Sequence, residues 1–275
     1  MASGVEAPSF SLRAERVGEI AAPSSWPFAV TPEWAWGGST GEGVRVCVID
    51  SGVEGDHPDV GEVGRSLTVG ADDEGYAELV DDTDGDVFGH GTACAGIIRS
   101  LAPECKIDSV RVLGPTNRGS GPLLLAGLDW AISERHDVIN ISLSTSKREL
   151  FDAMRRLTDG AYFRRTTIVA SAHNLAVESY PWRFSSVVSV GSHEDSDPMR
   201  FYYNPDPPVE FYGRGLDVEV AWKGGGRLRS SGNSFATAHL AGICALIRAK
   251  HPELAPFELK SVLRLTAANA TGAAE

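Results

Sequence analysis

Five short apolar runs, rich in Val and Ile, constrain this chain more than any other feature. They are VRVCVID (44–50), KIDSVRVL (106–113), DVINISL (137–143), TTIVASA (166–172) and SVVSVGS (186–192). A continuous apolar run of this length suits a strand buried on both faces, as in a parallel sheet. Helical patterns alternate with them: GTACAGIIRSLA (91–102), GPLLLAGLDWAISERH (121–136) and KRELFDAMRRLTDG (147–160), the last with Gly160 as its stop. SFATAHLAGICALIRAKHP (234–252) and APFELKSVLRLTA (255–267) complete the set. Strand alternating with helix predicts an α/β fold of three layers, with a mostly parallel central sheet and helices on both faces. In such sheets functional groups gather at the carboxyl ends of the strands. Residues 200–222 are rich in turns and aromatics, and read as loops and an antiparallel hairpin at one edge.

The chain has 275 residues, near the upper size of a single core. Residues 1–30 mix Ala, Ser, Pro and Glu without a period and read as an N-terminal arm. Residues 31–275 then form one domain. The formal net charge of −12 argues against a nucleic-acid partner or an anionic membrane surface, both of which select basic patches. No run approaches the ~20 apolar residues that span a bilayer, and the first 20 residues show no secretory pattern. The expected location is cytoplasmic. Cys47, Cys94, Cys105 and Cys244 form no CxxC pair and sit in apolar contexts, so buried free thiols are expected and a metal site is not. The oligomeric state is not legible in these residues.

Three stretches place reactive side chains at the ends of elements. Asp50 closes VRVCVID and is followed by Ser51-Gly52. A carboxylate there is costly to bury unless partnered, though a turn aspartate would also fit. His90 lies in FGHGTACAG, between two glycines that let other backbone come close; a structural histidine is the alternative. Ser234, in SGNSFATAHLAG (231–242), opens a helix. A helix start offers unpaired N–H groups and a positive dipole end to a developing negative charge. It is also where a plain N-capping serine sits. Together the three make a chemical set. A serine hydroxyl needs a base, imidazole titrates near neutral pH, and a carboxylate holds the ring in the right tautomer.

Asp, then His, then Ser is also the chain order of the subtilisin-like serine proteases, and residues 31–268 resemble that family. VCVIDSGVEGDHPDV resembles its aspartate motif, GHGTACAGII its histidine motif and GNSFATAHLAGICALI its serine motif. SAHN (171–174) stands where the family has its oxyanion-hole asparagine. The resemblance implies a subtilisin-like fold and a serine endopeptidase without a cofactor, acting on a peptide or protein substrate. It implies Ser234 as nucleophile, His90 as base and then acid, Asp50 as the group orienting His90, and Asn174 as an oxyanion donor. It further implies that substrate adds as a strand between Gly119-Ser120-Gly121 and Ser142-Leu143-Ser144. A peptide ligase on the same triad, or a peptide-binding pseudoprotease, are the alternatives.

The departures from the family pattern are informative. Ala93 replaces a second histidine, and Ala238 a proline. Two glycines that usually line the primary specificity pocket are replaced by Ser144 and His173, which implies a narrowed pocket and a selective enzyme, such as one that processes precursor or leader peptides. The segment from His90 to VRVLG lacks an insertion that builds a calcium site in many relatives, so no metal is expected there. About 40 residues precede the aspartate motif, fewer than the usual folding propeptide. The acidic run DDTDGD (81–86) either borders the cleft, favouring basic substrate residues, or forms a solvated loop. DHPD (56–59) reads as a surface turn, and Cys94 as an inert thiol packed under the site.

Overall fold

The computed structural model describes residues 29–71 and 77–270. The expected arm falls almost wholly on residues 1–28, outside the described residues; Val30 already packs on the core. The elements, in chain order, are α1 (Pro32–Trp36), β1 (Arg45–Asp50), β2 (Val63–Ala71), β3 (Ala77–Asp81), α2 (His90–Leu101), β4 (Lys106–Arg111) and α3 (Gly121–Ser133). Then follow β5 (Val138–Ile141), α4 (Phe151–Phe163), β6 (Thr167–Ser171), β7 (Val187–His193), β8 (Tyr202–Tyr203) and β9 (Phe211–Arg214). The chain closes with β10 (Val218–Trp222), β11 (Gly226–Ser230), α5 (Asn233–Lys250) and α6 (Pro256–Thr266).

Nine strands form one sheet in the order β3-β2-β4-β1-β5-β6-β7-β9-β8. Every pairing is parallel except β2–β3 and β8–β9, at the two edges. All five apolar runs are parallel strands near the centre. β1 shows why they had to be. Its side chains alternate between two cores: Val46 and Val48 join the cluster under α2, α5 and α6, while Cys47 and Ile49 join the one under α3 and α4. Each such Val or Ile, wholly buried, is worth ~1.5–3 kcal/mol. The same alternation aims Asp50 at the α2 and α5 side. A slip of one residue would turn it to the other face.

The structure corrects several expectations. Strands β2 and β3 were not foreseen: their mixed polar and apolar residues suit an edge, not a doubly buried strand. Gly160 does not stop α4. The helix continues to Phe163 and ends where Arg165 takes a left-handed φ of 64°, the chain turning back as Thr166 N donates to the Ala161 carbonyl. The hairpin read in 200–222 is β8–β9, but β9 also pairs parallel to β7, and β10 leaves the main sheet to pair antiparallel with β11. No helix among the described residues is long and apolar enough to cross a membrane.

Helix α5 is buried along nearly its whole length and carries a histidine in that setting. His239 is 3% exposed and its Nδ1 donates to the Phe235 carbonyl at 2.8 Å. Burial, only partly offset by that bond, holds its pKa down to about 4. The fold therefore keeps a neutral ring, while the unfolded chain takes up a proton near the ordinary value of 6.5. The stability this supplies is complete above about 6.5 and is lost as pH falls towards 4, by about 3 kcal/mol. Thermal unfolding should show a steeper loss of Tm between pH 6.5 and 4 in the parent chain than in His239→Gln. Equal slopes would remove His239 as the source.

Candidate active site

The carboxyl ends of β1, β4, β5 and β6 open into a cleft of about 600 Å³. Its lining brings together residues distant in the chain: His90, Gly119, Ser120, Gly121, Ser142, Leu143, Ser144, His173, Asn174 and Ser234. Asp50 does not line it. That residue lies beneath, wholly buried, and its carboxylate accepts from His90 Nδ1 at 2.8 Å and 2.9 Å and from Ser51 N at 2.8 Å.

His90 is the first residue of α2. Its Nδ1–H donates to Asp50, so Nε2 is left for the cleft. Burial opposes a charged ring, but the Asp50 charge and hydrogen bond, with Asp86 adding to them, outweigh it and raise the pKa above its ordinary value. The two flanking glycines have separate reasons. A Cβ on Gly91 would stand 2.0 Å from the Gly52 carbonyl oxygen. Gly89 has φ 120° and no room beside the Trp222 ring.

Ser234 is not an N-cap. Helix α5 starts at Asn233, with Gly232 as its cap and no side-chain cap bond. The second helical position places the Ser234 hydroxyl at the positive end of the helix without using it to satisfy the backbone. In this structure that hydroxyl donates to the Ser142 carbonyl at 3.3 Å, rather than to His90. A floor of polar groups fixes this corner. Asn140 Nδ2 donates to Ser142 Oγ at 3.0 Å, and Ser142 Oγ donates to the Ser234 carbonyl at 3.2 Å. Asn174 Oδ1 accepts from Asn233 N at 3.1 Å, which leaves its Nδ2 donor without a protein partner among the described residues.

On the rims, Gly119 bridges to Leu113 and Ser120 is exposed. Gly121 has already entered α3 and is buried against Leu150, so the first edge is one residue shorter than expected. His173 is half-exposed, and its Nδ1 accepts from Leu175 N at 2.9 Å, which ties the ring to its own loop.

Asp86 was missed. Neither reading of the acidic run fits it, because it is 9% exposed and fully engaged. Oδ1 accepts from Ser51 Oγ, Phe88 N and Gly89 N at 2.8, 2.9 and 2.6 Å; Oδ2 accepts from Thr92 N and Oγ1 at 2.8 and 2.6 Å. It thereby fastens the loop before His90, and the start of α2, to the end of β1. Asp82 and Asp84, in the same run, both pair with Arg111. The signal available in the sequence was an aspartate four residues ahead of a helix start. His57 also differs from expectation: it is buried, with Nε2 donating to the Gly226 carbonyl at 2.8 Å.

All four cysteines are free and buried. Cys94 packs under the site as expected, with Sγ 3.4 Å from Ser142 Oγ, and burial followed by the Asp50 charge pushes its thiol well up. Asp50, His90 and Cys94 offer ligand atoms within 4.8 Å of one another. The carboxylate is committed to His90, and the thiol is held protonated. The donor set fits a hydrogen-bonded pair better than a metal.

An imidazole oriented by a buried carboxylate thus opens on a cleft that holds a serine at a helix start and a free amide donor. Comparison with known proteins gives this arrangement its context. A family model described as the subtilase family (peptidase S8) matches residues 41–275. The chain belongs to that family. This subtilase is 30% identical over 245 residues to subtilisin E of Bacillus subtilis (strain 168), covering 84% of this chain and 62% of that protein. The chain thus spans less than two thirds of that relative. To the subtilisin of Bacillus pumilus it is 30% identical over 245 residues, covering 84% of this chain and 86% of the other. Among solved structures, a cold-adapted subtilisin-like serine proteinase superposes with a TM-score of 0.68 at 29% identity, over 85% of this chain and 87% of that one. The expected subtilisin-like α/β fold is therefore what this subtilase adopts.

Removing the Asp86 charge should reach His90 without touching it. In Asp86→Asn, NMR titration of the His90 ring should give a lower midpoint than in the parent chain. Unpaired donors around position 86 should also cost about 1–3 kcal/mol of stability. An unchanged midpoint would confine Asp86 to holding the loop.

Proposed function

We propose that this chain is a serine endopeptidase that works through an acyl-enzyme. The observation that carries the reading is His90, paired with the buried Asp50, in a cleft also lined by Ser234, in a member of the subtilase family. In this reading Ser234 Oγ attacks the scissile carbonyl after rotating from Ser142 to His90 Nε2. His90 takes the hydroxyl proton and returns it to the leaving amine, while Asp50 holds the tautomer and stabilises the imidazolium. Asn174 Nδ2 and the Ser234 N–H receive the oxyanion. Apo geometry at such sites is commonly loose and tightens on substrate binding. Substrate lies as a strand between the rims around Gly119 and around Ser142–Ser144, where main-chain pairing supplies affinity.

Selectivity belongs to the same proposal. Ser144 and His173 stand where the family pattern has glycines, and both line the cleft. They narrow it, which suits processing of a precursor or leader peptide better than broad degradation. A cytoplasmic location is proposed with it, supported by four buried, unpaired thiols of the kind that a reducing compartment keeps.

Intact-mass analysis after fluorophosphonate treatment tests the nucleophile. One adduct should form on the parent chain and none on Ser234→Ala; no adduct on folded parent protein would overturn the reading. Asn174→Ala should lower kcat by about 10²–10³ with little change in KM. Because His90 must be neutral to act as base, and its pKa is raised, kcat/KM should climb with pH through a midpoint above the ordinary histidine value. Asp86→Asn should shift that midpoint down. Turnover of casein near the rate of a secreted subtilisin would sink the selectivity. Ser144→Gly with His173→Gly should instead raise casein turnover.

A further inference from the structure

The protein carries a formal net charge of −12, yet no Asp or Glu lines the cleft. Two cations do. Arg118 stands on the rim that precedes α3, and Lys147 on the opposite rim, beyond Ser144. Both are exposed, and neither side chain has an ion-pair or hydrogen-bond partner among the described residues.

The carboxylates of the acidic run and Glu178 are engaged elsewhere, and Glu149, two residues beyond Lys147, is exposed but does not line the cleft. Asp82 and Asp84 are paired with Arg111, and Asp86 is buried in its five hydrogen bonds. Glu178 accepts from the Tyr180 hydroxyl at 2.6 Å and faces Arg148 at 3.9 Å; it lines a neighbouring hollow rather than the cleft. Among the described residues that line the groove, added negative charge therefore meets only positively charged side chains.

We infer that the cleft selects acidic peptide segments, with substrate carboxylates pairing with Lys147 on one rim and Arg118 on the other. The inference rests on the endopeptidase reading and names its substrate class. A peptide laid as a strand between the rims pairs with them through its backbone and sends its side chains to the two faces, and the long, exposed Lys147 and Arg118 side chains can reach over the rims to substrate carboxylates there. Exposed pairs of this kind contribute modestly one at a time and are screened by salt. Their larger effects are on encounter and discrimination, since like charges placed opposite each other are rejected. The net negative charge sharpens the choice, since it repels an acidic peptide on average while the groove lining does not. The inference replaces a preference for basic residues that the acidic run 81–86 had suggested.

The test separates this inference from the reading beneath it. Ser234→Ala protein is titrated, by fluorescence anisotropy, with matched peptides carrying Glu, Gln or Lys scanned through each position. Glu peptides should bind several-fold more tightly than Gln peptides at some positions, and Lys peptides more weakly. The differences should close near 1 M salt. Placing Lys147→Glu and Arg118→Glu together in the same protein should reverse the order, and both sites are exposed, so folding should survive. Equal binding of Glu and Gln peptides, an order that the double change leaves intact, or no binding by any peptide would each overturn the inference. Fluorophosphonate labelling of the parent chain reads the nucleophile separately. A labelled serine with no charge preference removes only the inference. A charge preference without labelling removes the endopeptidase reading and leaves a cleft that selects acidic peptides.

Discussion

A carboxylate with no access to water is the constraint around which this molecule is arranged. Asp50 sits at the end of β1, well inside the sheet, and its charge has to be answered within the protein. The answer is one imidazole and one backbone N–H. His90 can give it only because α2 begins at that residue. Helix α2 begins there because Asp86 gathers the loop before it and the backbone of its first turn. Each group is held by the next, and the network ends at Ser51, one residue from where it began. Such a closed polar network inside a low-dielectric region is either satisfied throughout or costly. Here the carboxylate oxygens of Asp50 and Asp86 are all occupied.

The central architecture was legible because it is written in doubly buried strands. Val46, Val48, Cys47 and Ile49 have no polar side to hide, so a run such as VRVCVID admits few alternatives. The edges were not legible for the converse reason. The residues of β2 are partly exposed and those of β3 mostly so, and both read equally well as loop. Gly160 was misread as a stop because a glycine tolerated at an uncrowded helical position looks like one that ends a helix.

At the site, the motif residues were legible and their supporting groups were not. Asp50, His90, Asn174 and Ser234 stand at element ends in a recognisable order. Asp86 and Asn140 act through hydrogen bonds to backbone and to small hydroxyls, and nothing in local sequence separates a buried aspartate from a solvated one in DDTDGD. Ser234 shows a subtler limit. The sequence placed it at a helix start but not at the second position, where its hydroxyl is released from capping. The difference is one residue, and it decides whether the oxygen is available.

The floor of the cleft joins parts of the chain made at very different times. Ser142 bonds to Ser234 across 92 positions, and His90 to Asp50 across 40. Translation delivers the chain from its N-terminus at roughly 5–20 residues per second. Strands β1 to β7 therefore emerge well before α5, the helix that fills the space beneath them and brings the serine. Contacts of this span form late and slowly. The consequence is temporal. A nascent fragment that stops short of α5 holds the Asp50–His90 pair without the serine that faces the same cleft.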